Sequence, residues 1–420
     1  MFAVIGNSWA LLLGMFLLML GNGMQGTVLG LRGGIEAYES TTMGFVMAGY
    51  FAGFLGGAQV TPWLLRRVGH VRVFAALGSL ISAAFIIFAA VVDPIAWTLM
   101  RVIVGFCYSG VYVVAESWLN DSSTNENRGR TLSAYLIVQM LGIIVAQSLI
   151  NVADPGGYDL FIIMSVAVSI SFAPMLLSAS PAPVFSTTRR MPLKTLFKTS
   201  PLGCIGTFFL GAIFAAQFGM GPVFATEVGM KPAQISIFIG AIYLGGLVLQ
   251  YPIGWASDRI DRRVLIAWVT AIGTLGAMLG FVFSGSFPIL IAAAFIIGGM
   301  SNPLYSLLIA HTNDFLEHED MASASGGLIV LNGVGAAGTP ILVGYLMEAF
   351  GPNAFLVFIG WMMALVAAYA TYRMTVRPAP AVEDTSPIAP YSMVSGTQYS
   401  AEYIQEMVLD ETEDLVAEQN

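Results

Sequence analysis

Twelve blocks of about 20 to 25 mostly apolar residues follow one another along this chain, and they leave very few folds open to it. They run 8–31, 42–65, 72–92, 95–118, 131–152, 159–178, 202–226, 233–255, 264–284, 287–310, 326–349 and 353–374. Each is long enough to cross a hydrocarbon layer of about 30 Å as an α-helix. Lipid offers no hydrogen bonds to the backbone, so a spanning chain is either helical or a closed barrel. A barrel would show alternating segments of about ten residues, and the sequence has no such pattern. The expected fold is therefore an all-α integral membrane protein with 12 transmembrane helices. Composition agrees, with 57% hydrophobic residues, 10% charged residues and a mean hydropathy of +0.78.

The 17 Lys and Arg residues set the expected orientation, because basic residues near span ends stay cytoplasmic. With the N-terminus inside, Arg66, Arg67, Arg72, Arg128, Arg130, Arg189, Arg190, Lys194, Lys198, Arg259, Arg262, Arg263, Arg373 and Arg377 fall on the inner side. Only Arg32 and Lys231 fall outside. Both termini are expected in the cytoplasm. The first block has no Lys or Arg before it and is read as a retained helix rather than a cleaved leader. The expected location is the plasma membrane, the inner membrane of a bacterium, as a multi-pass protein.

The net charge of −8 is a local property. From Pro378 onward the chain carries nine Asp or Glu and neither Lys nor Arg, whereas the body before it is nearly neutral. The segment 377–420 is expected to be a disordered cytoplasmic tail, and docking of a cytoplasmic partner on it is the competing reading. Cys107 and Cys204 both lie inside predicted spans and are expected as small packing residues.

A repeat organises the spans. Shifting the chain by 193 residues sets Gly105, Tyr112, Asn120 and Asp121 on Gly298, Tyr305, Asn313 and Asp314, and Gly142 on Gly335. Shifting by 192 sets Arg66-Arg67-Val68 on Asp258-Arg259-Ile260, and Gly53 and Leu55 on Gly245 and Leu247. Six helices are thus followed by six related ones in the same orientation. The expected division is 1–178 for the first half, 179–200 for a basic cytoplasmic linker and 201–376 for the second half. Parallel halves related by an axis along the membrane normal are a transporter architecture.

The stretch Gly254-Trp255-Ala256-Ser257-Asp258-Arg259-Ile260-Asp261-Arg262-Arg263 resembles the loop signature of the major facilitator superfamily, roughly Gly-x-x-x-Asp-Arg-x-Gly-Arg-Arg. Asp261 stands where the second glycine is usual. The first-half copy, Pro62 to Val71, keeps Arg67 and Gly69. Arg101 followed by Gly105 and Gly110 resembles the fourth-helix Arg motif of that superfamily. Val113-Val114-Ala115-Glu116-Ser117 with Asn127-Arg128-Gly129-Arg130 is similar to its YcaD-like branch. The resemblance covers about residues 8 to 376 and implies two parallel-related six-helix bundles.

Several residues carry candidate roles. Arg67, Gly69, Gly254, Asp258, Arg259, Arg262 and Arg263 would form a cytoplasmic gating motif, with Asp314, Glu317, Glu319 and Asp320 as acidic partners for the arginines, or would merely fix topology and solvate loop ends. Arg101 lies within a span, where a guanidinium is costly unless it faces a cavity or partner. Always protonated, it would act by electrostatics, holding an anionic substrate group or lowering an acid's pKa. Glu116 could exchange a proton as access alternates, or form an inner-surface salt bridge to Arg67 or Arg128. Asn22, Gln25, Gln139, Gln147, Gln217, Asn302 and Tyr305 make a candidate cavity lining; such amides serve equally as interhelical hydrogen bonds.

Enzymatic readings find no support. His70, His311 and His318 show no metal-ligand spacing, and no phosphate-cradling loop follows a strand. No cofactor, metal or nucleic acid is expected. The sequence reads as a monomeric secondary transporter of a small organic solute, proton-coupled, with export favoured over uptake. The reading from another class is a transporter-like receptor signalling through its tail.

Overall fold

The computed structural model describes residues 2–122, 128–177 and 191–376. The acidic tail, the linker residues 178–190 and the side chains of Asn120 to Arg130 lie outside the described residues. The spans are α1 (Phe2–Ile35), α2 (Ser40–Val68), α3 (His70–Ala90), α4 (Pro94–Ser122), α5 (Arg128–Leu149), α6 (Asp159–Ser171), α7 (Pro201–Glu227), α8 (Pro232–Ser257), α9 (Arg262–Val282), α10 (Phe287–Asn313), α11 (Ser323–Phe350) and α12 (Ala354–Val376). Eleven are long and apolar enough to cross a membrane. The sixth is shorter, because the helix breaks at Phe172 and resumes as Ala173–Leu177. The chain is a multi-pass membrane protein, and no strand occurs among the described residues.

Large apolar side chains face outward as well as inward. Tyr251, Phe350, Ile95 and Trp268 are all more than 60% exposed, which suits lipid and would be a liability in water. Proline opens α4, and sits at the first or second position of α7, α8 and α10, where its missing N–H has no intrahelical partner to lose. Gly69, at φ +82°, is the joint between α2 and α3, a left-handed conformation that glycine enters without strain. Its counterpart 192 residues on, Asp261, has φ −52°, so a glycine is not required there. Asp261 instead caps α9, accepting the Arg263 N–H.

The halves are built by the same contacts. A Cβ on Gly53 would strike the Val102 carbonyl and one on Gly105 that of Tyr50, closing α2 on α4. A Cβ on Gly245 would strike the Phe295 carbonyl and one on Gly298 that of Ile242, closing α8 on α10. The carbonyls struck are related by the same 192- and 193-residue shifts as the glycines. Gly142 and Gly335 likewise bring α5 against α1 and α11 against α7. Small residues let backbones approach where lipid gives no hydrophobic drive between helices.

The halves meet at one end of the molecule, opposite the end that carries Arg66, Arg67, Lys194, Lys198, Arg259, Arg262 and Arg263. There Gly44 of α2 abuts the Pro340 carbonyl of α11, Gly344 abuts Ser40, and Gly34 of α1 abuts Thr226 of α7. Ser40 Oγ donates to the Glu227 carboxylate, and Asn151 Nδ2 donates to Ser236 Oγ at 3.3 Å. Toward the basic end, the contacts of α2 with the second half reach Phe51 against Gly219 and Leu55 against Gly333.

Candidate functional site: a cavity between the halves

Beneath the sealed end lies a cavity of about 1200 Å³, part of it open solvent. Its first-half wall combines the apolar Phe51, Phe54 and Leu55 with most of the polar lining. Asn22, Gln25, Thr27, Tyr50, Arg101 and Gln147 line it, and four of them, Arg101, Gln25, Asn22 and Tyr50, form a hydrogen-bonded chain. Arg101 Nη1 donates to Gln25 Oε1 at 2.9 Å, and Gln25 Nε2 donates to Asn22 Oδ1 at 2.6 Å. Tyr50 OH donates to Asn22 Oδ1 at 3.2 Å, while Asn22 Nδ2 donates to Tyr112 OH at 2.9 Å. Gln147 is held by Thr27 Oγ1 and the Gly23 carbonyl.

Arg101 is buried at 3% exposure, with its guanidinium 4.8 Å from the Tyr50 ring centre. It does not snorkel to the surface. Its Nη2 reaches only the Met47 sulfur, at 3.5 Å, and its Nε has no partner.

The second-half wall is aromatic. Phe214 stacks on Phe218 at 5.6 Å between ring centres, and Phe218 on Tyr243 at 4.8 Å. These three, with Ile239, Tyr305, Ile329 and Asn332, complete the enclosure from α7, α8, α10 and α11. Under the repeat, Asn22 corresponds to Phe214 and Arg101 to Ala294. These two positions are polar in the first half and apolar in the second.

Four of the seven sequence-predicted cavity residues, Asn22, Gln25, Gln147 and Tyr305, line this cavity. Gln139, Gln217 and Asn302 do not. Gln139 is fully buried with neither amide atom hydrogen-bonded. Gln217, the repeat counterpart of Gln25, lies in a π-helical turn at Ala215–Met220 and exchanges hydrogen bonds with Ser301. Asn302 bonds the Gly298 carbonyl at 2.8 Å and wedges against Gly246. Glu116, 2% exposed, accepts from Tyr135 OH at 3.4 Å and does not line the cavity.

At the basic end the acid partner is Asp314, and its arginine is Arg262. The two pair with side chains 3% and 4% exposed, while Arg262 also donates to Ser257 Oγ and the Ala310 carbonyl. Burial raises the Asp314 carboxyl above its ordinary value, although the charge and hydrogen bond of Arg262 pull the other way. Burial raises Asp261 too, but the hydrogen bonds and charge of Arg263, aided by His311, outweigh it and hold that carboxyl below its ordinary value. Arg259 is exposed and stacks on Trp255, 4.1 Å from the ring centre. Arg67 does the same on Trp63, at 5.3 Å. Asp258 is exposed at the C-cap of α8, and Gly254 is half-buried one turn before it.

Sequence reasoning missed Tyr50, Phe51, Phe54, Phe218, Tyr243 and Asn332. An aromatic in an apolar block stands out from nothing. The repeat held a usable signal, since Phe51 and Tyr243 are 192 residues apart and both line the cavity.

Comparison with known proteins places these features in a family. The family model described as Major Facilitator Superfamily matches residues 11–226 and 203–401. An uncharacterized MFS-type transporter YcaD of Salmonella arizonae is 24% identical over 353 residues, covering 83% of this chain and 91% of the relative. YcaD of Escherichia coli O45:K1 is 24% identical over 356 residues, with the same coverage. Among solved structures, a mutant of the nucleoside transporter NupG superposes with a TM-score of 0.73 at 15% identity, covering 87% of this chain and 99% of NupG. A bacterial homolog of the human lysosomal transporter Spinster, inward-facing and occupied, gives a TM-score of 0.68 at 14% identity, over 91% and 98% of the two chains. These two structural likenesses establish the fold.

Proposed function

The chain belongs to the major facilitator superfamily, and from that premise we propose that it moves a small organic solute by alternating access, coupled to protons, in the direction of export. The observation that carries this reading is the cavity between the halves, closed over at one end and holding a buried Arg101. Two half-shells that meet at one end and part toward the other are arranged to rock about an enclosed site.

The basic end is the cytoplasmic one by the positive-inside rule, which puts both termini inside. The sealed end then faces outward and the cavity loads from the cytoplasm, favouring export. Uptake uses the same cavity in reverse. Glu116 is the residue we assign to carry the proton. Among the described residues of the spans it is the one buried carboxylate, and unlike Arg101 it can change charge. The Arg262–Asp314 pair fastens the cytoplasmic ends of α9 and α10, while Arg263 and Asp261 hold the start of α9.

The test is purified protein in liposomes loaded with a pH dye and screened against a solute library under an imposed gradient. Solute-dependent proton movement supports the reading, and its loss in Glu116→Gln assigns the proton site. A full library without proton movement or solute accumulation overturns coupled transport.

A further inference from the structure

We propose that the cavity selects organic monoanions, a single carboxylate on an apolar or aromatic body, and that Arg101 binds the carboxylate. This rests on the transporter reading above and narrows its substrate class.

A guanidinium buried within a span is costly unless something compensates it. Among the described residues no carboxylate pairs with Arg101. Its one strong acceptor is Gln25 Oε1, on Nη1. The Met47 thioether on Nη2 is a weak acceptor, and Nε is unpartnered. The Nε–Nη2 edge is the edge a carboxylate spans with two parallel hydrogen bonds, and here it lacks an oxygen to bond.

The rest of the lining fixes the ligand's charge and body. Among the described residues Arg101 is the one charged group lining the cavity, so one negative charge neutralises the site. A second would stay uncompensated, and a cation would be repelled. The second half contributes Phe214, Phe218, Ile239 and Tyr243 to the lining, apolar and aromatic surface for the body of the ligand. A ligand held by its carboxylate on one half and its body on the other touches both parts that must move together.

The experiment compares three compounds of nearly equal shape on the full chain in nanodiscs, by calorimetric titration: 4-phenylbutyrate, 4-phenylbutyramide and 4-phenylbutylamine. The acid should bind at least tenfold more tightly than the amide, and the amine most weakly. Arg101→Gln should bring acid and amide to within about threefold of each other, while Arg101→Lys keeps part of the preference. The comparison on the unaltered chain requires no variant to fold. Equal binding of acid and amide, a preference for the amine, or an acid preference that survives in Arg101→Gln overturns the proposal. If the amide or amine binds best and that binding is lost in Gly333→Trp, the cavity remains a ligand site and the monoanion class alone falls. If none of the three binds, the class proposed here is wrong, and the library flux screen decides separately whether the chain transports anything.

Discussion

Asp314 and Asp261 lie close together at the basic end, yet their surroundings push them in opposite directions. Asp314 is raised by burial despite its pairing with Arg262, and Asp261 is lowered by Arg263. Removing one partner of a buried ion pair commonly costs about 3–5 kcal/mol, because the other charge is left buried. Asp314→Asn should therefore lower the melting temperature of the detergent-purified chain clearly; an unchanged melt would show that the pair does not fasten α9 to α10. A carboxyl whose folded value lies below its unfolded one adds stability that is complete above the unfolded value and lost as pH falls through the folded one. A raised carboxyl does the reverse, favouring the fold at low pH and opposing it as pH climbs. Asp261→Asn should thus flatten the fall in stability on acidification, and an acid limb as steep as before would refute that assignment. At this scale Arg101 and Glu116 were legible in the sequence because a charge inside an apolar block is an anomaly. The amides were not separable: Gln25 and Gln217 are repeat counterparts, but only one faces the cavity. Which way an amide points depends on helix rotation and on the π-helical turn, and neither is written in residue type.

The elements were easier to read. An apolar block of span length allows little but a helix, and the glycines that mark the repeat sit where α2 meets α4 and α8 meets α10. What the blocks hid were interruptions. The break at Phe172, the π-helical turn ending at Met220 and the interruption of α11 at Gly338 lie in apolar sequence, and the one signal at each is a proline two residues on, Pro174, Pro222 and Pro340. The helices also outrun the blocks, as α2 continues through Arg66 and Arg67 to Val68, because a helix keeps its own hydrogen bonds after it leaves the hydrocarbon. The glycine contacts make a matched prediction. Gly105→Leu and Gly298→Leu each place a side chain against a carbonyl of the neighbouring helix, so both should sharply reduce monodisperse protein on size exclusion. Gly240→Ala, in α8 with nothing within 4 Å of a new Cβ, should behave as the unaltered chain. Tolerance of leucine at either Gly105 or Gly298 would contradict the close packing in that half.

Transport by alternating access requires the two halves to separate where they now touch. Those contacts, Ser40 with Glu227 and Asn151 with Ser236, join residues far apart in sequence. The sequence showed that there are two related halves, but not which end was closed, since the repeat relates halves to each other and says nothing of their tilt. Cys107 and Cys204 are free and buried, so cysteines introduced at the seam can be modified selectively. The most direct measurement joins Ser40→Cys and Glu227→Cys with a short bifunctional methanethiosulfonate in proteoliposomes, then follows flux of a solute that the unaltered chain carries. Flux should stop on cross-linking and return when a reductant cleaves the link. Flux that continues through the cross-linked protein would contradict a path that opens between the halves.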